Sequence, residues 1–383
     1  MSTQGAFGAF GAFGAFGAFA GQGAFGAFGG AGAFGAFGQA GPGFDNMALI
    51  QHRDGIVGSW QTPAVFPAPL RQEVAGAAGP MERWEPWVRA SLIDFDLFSR
   101  LHFAPSGAGF ALHDVGLSLG QTPNAIVQPL VAMTRPPDPP ASAFWTTQLD
   151  LVAGWADLRA ERCGEIVAQI SPAIAYWSSL ANLHPQRHRH TLELLGTALR
   201  LATHVEMRFK HALACRRPAE YSAQLQPMLQ TPGHGSLPSG HSTEAHMVAY
   251  VLRSLMGAAD PTKQYPWFDQ LMRQAARIAT NRTVAGLHFP VDSVAGQVLG
   301  LTLGAYFVHR AIPHPLGTES FDAWHFDGTK YPPQQDFDWR QLFTPQTEAR
   351  VALPYVASLG QGLKAPMSPT LNWLWQEALK EWP

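Results

Sequence analysis

Hydrophobic positions recur at steps of three and four along much of the second half of the chain. Leu192, Leu195, Leu199, Ala202, Val205 and Phe209 form one such stripe, the spacing of an amphipathic helix. It predicts a helix over 191–212 with Thr191 as its N-cap. Residues 241–257 and 267–284 read the same way. Pro290 suits the first position of a further helix running to about 311. Residues 143–183 read as helices with interruptions, Pro172 ending or kinking one of them. No convincing run of alternating strands is evident. The pattern therefore predicts an all-α body whose later helices form a bundle.

The chain has 383 residues, and its first 44 carry no Asp, Glu, Lys, Arg or His. Residues 5–38 repeat the triplet Gly-Ala-Phe nine times. A period of three fits neither helix nor strand, and glycine makes ordering entropically costly. The segment predicts a disordered appendage, with self-association through its regularly spaced Phe rings as the alternative. The expected organisation is a repeat tail at 1–44, an all-α catalytic domain at 45–320, and a C-terminal extension at 321–383 packed on the bundle. That extension is expected to end in a short helix near 369–381. Loops and short elements are expected over 45–140.

Composition narrows the function classes. A net charge of −2 gives no sign of nucleic-acid binding. Two cysteines, Cys163 and Cys215, exclude a disulfide scaffold and a four-thiolate zinc site. The longest apolar run, Ser293 to His309, is short for a bilayer and holds Gln297. No basic leader precedes the repeat tail. These features predict a soluble, cytoplasmic protein without a membrane span. His184, His188 and His190, beside Arg187 and Arg189, read as a solvated helix entrance.

Three segments each place cationic or titratable residues at a helix end. In Lys210-x6-Arg217-Pro218, the lysine lies near a helix C-terminus and the arginine follows it. An ammonium and a planar guanidinium together suit a tetrahedral oxyanion, although the helix dipole alone also favours basic residues there. In Pro238-Ser239-Gly240-His241, a turn opens a helix whose free N–H groups can receive an anion. Ser239 adds a hydroxyl, Gly240 permits close approach, and His241 is a candidate acid or base. In Arg282-x5-His288-x3-Asp292, Pro290 puts Asp292 in a first helical turn. The carboxylate can then turn back to fix the imidazole of His288.

In this order the segments resemble the three-part signature of the type 2 phosphatidic acid phosphatase and vanadium haloperoxidase superfamily. Every fixed position is met, and Asn281 stands where the family usually has Ser before the third-segment Arg. The resemblance implies a helical bundle holding phosphate or vanadate. Lys210, Arg217 and Arg282 would bind its oxygens, with Ser239 and the Gly240 N–H completing the cradle. His288 would be the nucleophile toward phosphorus or the axial ligand of vanadium, Asp292 its support, and His241 the acid–base opposite.

Two activities follow from that resemblance. One is a vanadate-dependent haloperoxidase, in which hydrogen peroxide oxidises bromide or iodide. The other is a soluble phosphomonoesterase with a phosphohistidine intermediate. The long body before Lys210 and His234, five residues before Ser239, favour the haloperoxidase-like branch, since bromoperoxidases carry a histidine at that spacing. Met207, three residues before Lys210 where the haloperoxidases have tryptophan, points away from it. The expectation is the haloperoxidase, with vanadate as cofactor, peroxide and halide or a phosphate ester as partners, and homo-oligomerisation or tail-mediated assembly.

Overall fold

The computed structural model describes residues 79–115, 128–138, 143–170, 173–259, 267–313, 321–343 and 349–382. The repeat tail, the whole of 1–78, and Pro172 lie outside the described residues. The chain divides into two compact units, Met1–Ser91 and Leu92–Pro383. In the first, a 3₁₀ turn at Gly79–Arg83 precedes the start of a helix, and the Arg89 guanidinium donates to the Met81 carbonyl at 3.1 Å.

Helix α1 spans Pro86–Phe98 and is followed by strands β1 Leu101–Ser106, β2 Gly109–Asp114 and β3 Gln128–Thr134. Helices α2 Ala143–Trp155, α3 Arg159–Ala168 and α4 Ile174–Ala181 come next, then α5 Arg189–Leu213 and the single turn α6 Pro218–Tyr221. Helices α7 Gly240–Ala259, α8 Trp267–Val284 and α9 Pro290–Ala311 complete the bundle. Strands β4 Phe321–Asp327 and β5 Val356–Leu363 and helix α10 Pro369–Leu379 close the order.

The expected all-α class is wrong. The five strands form one mixed sheet in the order β1-β2-β3-β4-β5, antiparallel throughout except for the parallel β3–β4 pair. In β4, Phe321, Ala323, Trp324 and Phe326 are buried, so half of an alternating pattern is present, with a register shift around Ala323. The other strands are short and carry Pro105, Pro129, Gly360 and Gly362, residues that weaken a strand signal. The β3–β4 pair joins Val131 to Trp324, and no local pattern announces such a partner.

The bundle itself follows from apolar stripes. Leu192, Leu195, Leu199, Ala202, Val205 and Phe209 are all buried on α5. Helix α9 is the innermost element, and Pro290 through Gly304 are buried without a break. Among the described residues it is the one helix long and apolar enough to cross a membrane, and it lies wholly inside the fold. It packs on α7 at close range because glycine recurs along it. A Cβ at Gly296 would sit 2.6 Å from the Ser239 carbonyl oxygen, and one at Gly300 would strike the Thr243 carbonyl. The sheet leans on α9 through β3 and β4 and on α5 through β2.

Helix α5 is capped from far along the chain. The Glu381 carboxylate accepts from the main-chain N–H groups of His190 and Thr191, each at 2.8 Å, and from the Thr191 hydroxyl at 2.9 Å. His190 Nδ1 lies 3.1 Å from the same carboxylate. The entrance of α5 is not the solvated one expected, since His188 and His190 are buried there; among the described residues no group of three or more His, Cys, Asp and Glu could hold a metal.

Two outcomes test this packing. Gly300→Val should cost about 3 kcal/mol through overpacking, lowering Tm by about 4–5 °C for a chain of this length. An unchanged melting temperature would mean that α7 and α9 are not held backbone to backbone. The Glu381 pKa is held below its ordinary value by bonds from His190 and Thr191, against the opposing effect of burial. Its stabilisation is therefore present above the unfolded pKa and lost as pH falls through the folded one. Glu381→Gln should cost about 1–2 kcal/mol at neutral pH, and the difference from wild type in urea unfolding should vanish in acid.

Candidate active site

Three helix ends carry the candidate residues. Lys210 sits in the last turn of α5, and Ala214 ends that helix in the left-handed conformation at φ 51°. The reversal sends the chain to Arg217, which precedes Pro218 at the start of α6, its main-chain N–H donating to Glu220 Oε2 at 2.6 Å. The second end is the turn from His234 to Ser239 that opens α7 at Gly240. The third is the bend between α8 and α9, where Gly286 takes a φ of 77° and the Leu287 N–H returns to the Arg282 carbonyl at 2.9 Å. The second and third are joined directly, Ser239 N donating to the Asp292 carbonyl at 2.9 Å.

The Asp292 carboxylate organises the floor. As the third residue of α9 it caps the helix start, Oδ2 accepting from Phe289 N at 2.9 Å. The same oxygen accepts from the Ser236 hydroxyl and lies 3.1 Å from His288 Nδ1. Only a protonated Nδ1 can donate to a carboxylate, so the lone pair of neutral His288 rests on Nε2. That nitrogen lies 2.9 Å from Arg217 Nη1, a donor. Burial, then the charges of Arg217 and Lys210, hold the His288 pKa well below its ordinary value. Burial pushes Asp292 up to about 6, against the pull of Ser236, Phe289 N, Arg217 and Lys210; the residue is thus ionised at neutral pH.

Arg217 is the hub of the cup. Its guanidinium donates to the His234 carbonyl at 3.1 Å and the Leu287 carbonyl at 2.9 Å, and reaches His234 Nδ1 at 3.2 Å. Lys210 Nζ donates to the Pro238 carbonyl at 2.5 Å, with the Gly235 and Ser236 carbonyls each at 3.4 Å. Arg282 reaches the Ile166 carbonyl at 3.1 Å, while its buried Nε has no partner. All three cations are almost wholly buried. Burial lowers Lys210 to about 8 and Arg282 to about 10, and also lowers Arg217. An assembly of buried cations with an unpartnered guanidinium nitrogen is suited to an oxyanion.

His241 opens α7 with Nε2 2.7 Å from the Gln169 carbonyl. Burial and then Arg282 lower it to about 3, and Lys210 and Arg217 act in the same direction. Burial, Lys210 and Arg217 lower His234, on the rim, to about 4. Hydrogen bonds thus join Arg217, His234, His288, Asp292 and Ser239 in one cluster, Lys210 is bonded to the turn before Ser239, and Gln169 links His241 to Arg282.

Three residues escaped the sequence reading. Ser236 lies two residues before the second segment, but a lone Ser in a Gly-rich turn carries no signal. Glu206 lies one helical turn before Lys210, a spacing that could have marked it. Its carboxyl packs where a Cβ on Gly240 would stand. Burial and then the nearby Glu244 push its pKa well above the ordinary carboxylate value. Gln169, the third, had no signal at all.

Residues 192–313 match the family model described as PAP2 superfamily. No curated protein matches the chain significantly. Among solved structures, the chain is similar to a transmembrane PAP2-type phosphatidylglycerolphosphate phosphatase from Bacillus subtilis. That similarity has 18% identity and a TM-score of 0.27, and covers 42% of this chain and 81% of that one. The matched segment holds all three helix ends.

The charge state of Lys210 gives a direct test. With a pKa of about 8 in the free protein, it is charged below that pH and neutral above it. Inorganic phosphate affinity, measured by calorimetry from pH 7 to 9.5, should fall steadily above pH 8. Lys210→Met should bind phosphate weakly and flatten the fall. A wild-type profile that stays level would remove Lys210 from the anion site.

Proposed function

We propose that the protein hydrolyses phosphate monoesters through a phosphohistidine formed on His288. The observation that carries this reading is the polarity of the His288 ring: Nδ1 faces the Asp292 carboxylate at 3.1 Å and Nε2 meets only a donor, Arg217 Nη1 at 2.9 Å. The match of residues 192–313 to the PAP2 superfamily supports it.

In this reading the phosphoryl oxygens draw Arg217 off Nε2 and share Lys210, Arg282, Ser239 and the Gly240 N–H. Nε2 attacks phosphorus, the P–N bond forms and the P–O ester bond breaks. Asp292 stabilises the positive imidazole that results. A proton from His241 goes to the leaving oxygen. A water then attacks phosphorus, His241 takes its proton, the P–N bond breaks and phosphate leaves. His241 is neutral in the free pocket because burial and Arg282 disfavour its charge. A bound phosphate dianion offsets that field and raises its pKa, so substrate binding itself charges the acid.

A second reading rests on His234, which the fold places against Arg217. It is the vanadate-dependent haloperoxidase. Lys210, Arg217, Arg282, Ser239, Gly240 and His288 would hold vanadate, and the unpartnered Arg282 Nε fits such a guest. Bound vanadate would supply activation of hydrogen peroxide toward bromide or iodide.

One preparation distinguishes the readings. An aryl phosphate should be hydrolysed without added metal, vanadate should inhibit, and His288→Ala should lower kcat by about 10³ or more. Quenching with denaturant at alkaline pH during turnover should trap phosphate on His288, since a P–N bond to imidazole is lost in acid. Bromination of a β-diketone only after vanadate loading, with no ester hydrolysis, would overturn the phosphatase in favour of the second reading. Failure of both assays on folded protein would overturn both.

A further inference from the structure

Helix α3 ends beside the pocket, outside the segment that matches the PAP2 superfamily. Its C-cap residue, Gln169, is fully buried. The Gln169 side-chain carbonyl accepts from Asn281 Nδ2 at 2.9 Å and from Arg282 Nη2 at 3.2 Å. Its amide nitrogen donates to Glu165 Oε1 at 3.0 Å, which assigns the orientation of the amide. Its main-chain carbonyl accepts from His241 Nε2 at 2.7 Å. One residue thus touches both an oxyanion-binding guanidinium and the acid–base imidazole.

The physical consequences differ for the two partners. A carbonyl oxygen can only accept, so His241 carries its proton on Nε2 when neutral, and Nδ1 is the nitrogen left to exchange a proton. The carbonyls of Ile166 and Gln169 belong to the last turn of α3, the negative end of its dipole. Both therefore favour cationic partners, the guanidinium from Ile166 and the imidazole from Gln169. Asn281 completes the arrangement. Its Oδ1 accepts from Arg162 Nη1 at 3.0 Å, so its amide is oriented from the α3 side and its Nδ2 is aimed at Gln169.

We propose that Gln169 is a positioning residue, holding Arg282 through its side chain and His241 through its main chain, so that the end of α3 sets how both face the oxyanion. The inference rests on the phosphatase reading only in taking phosphate as the ligand.

The test is a double-mutant cycle read by calorimetry with inorganic phosphate at saturating concentrations. Gln169→Leu removes the side-chain acceptor and leaves the main-chain one. It should weaken phosphate about tenfold when Arg282 is present and less than twofold in the Arg282→Ala background. A merely structural role would weaken both backgrounds alike, and that result, or no weakening in either, would overturn the proposal. Asn281→Ala is the second variant should Gln169→Leu fail to fold. It should weaken phosphate about threefold, again only with Arg282 present, and equal losses in both backgrounds would overturn the proposal. Folded wild-type protein that binds no phosphate would overturn the anion site itself, and the role of Gln169 with it.

Discussion

Positive charge held out of water is the constraint on which the pocket depends. Lys210, Arg217 and Arg282 are each nearly inaccessible, and desolvation of three cations is costly without partners. The fold offsets part of that cost with carbonyl oxygens rather than carboxylates. Pro238, Gly235 and Ser236 serve Lys210, His234 and Leu287 serve Arg217, and Ile166 serves Arg282. Neutral acceptors steady a cation without cancelling its charge. An anionic guest then meets an undiminished field. Two carboxyl groups lie near: Asp292 is bonded to His288, and burial with Glu244 raises the pKa of Glu206 well above its ordinary value.

The same economy governs the helix starts. Asp292 Oδ2 caps α9, anchors Ser236 and orients His288 at once. A secondary-structure requirement and a chemical one are met by one atom, so the imidazole is fixed by the bend that begins the helix. The Gly-lined contact of α9 with α7 then sets the distance between this bend and Ser239. Substitutions in the helix interiors would move the pocket floor, whereas the rim around His234 is more exposed and freer to vary.

Much of this was legible in the chain because it is local. The stripe from Leu192 to Phe209 marks α5, and Pro290 with Asp292 marks the start of α9. The three polar clusters lie at predicted helix ends, where orphan backbone groups make anion sites. What escaped was non-local. The sheet depends on pairing Val131 with Trp324, and neither short strand advertises the other. The same holds for Gln169, an ordinary glutamine until folding sets it against Asn281 and Arg282. Glu206 is the intermediate case, since its spacing from Lys210 was visible while its contact with Gly240 was not.

The distant cap on α5 bears on the order in which the molecule is made. The helix carrying Lys210 obtains partners for its first N–H groups from Glu381, 191 residues beyond His190. At a synthesis rate of 5–20 residues per second, roughly 10–40 seconds separate the two on the ribosome. Throughout that interval the first N–H groups of the helix lack their carboxylate partner. The amino end of α5 therefore goes without this cap until Glu381 has been made and has folded back on His190 and Thr191.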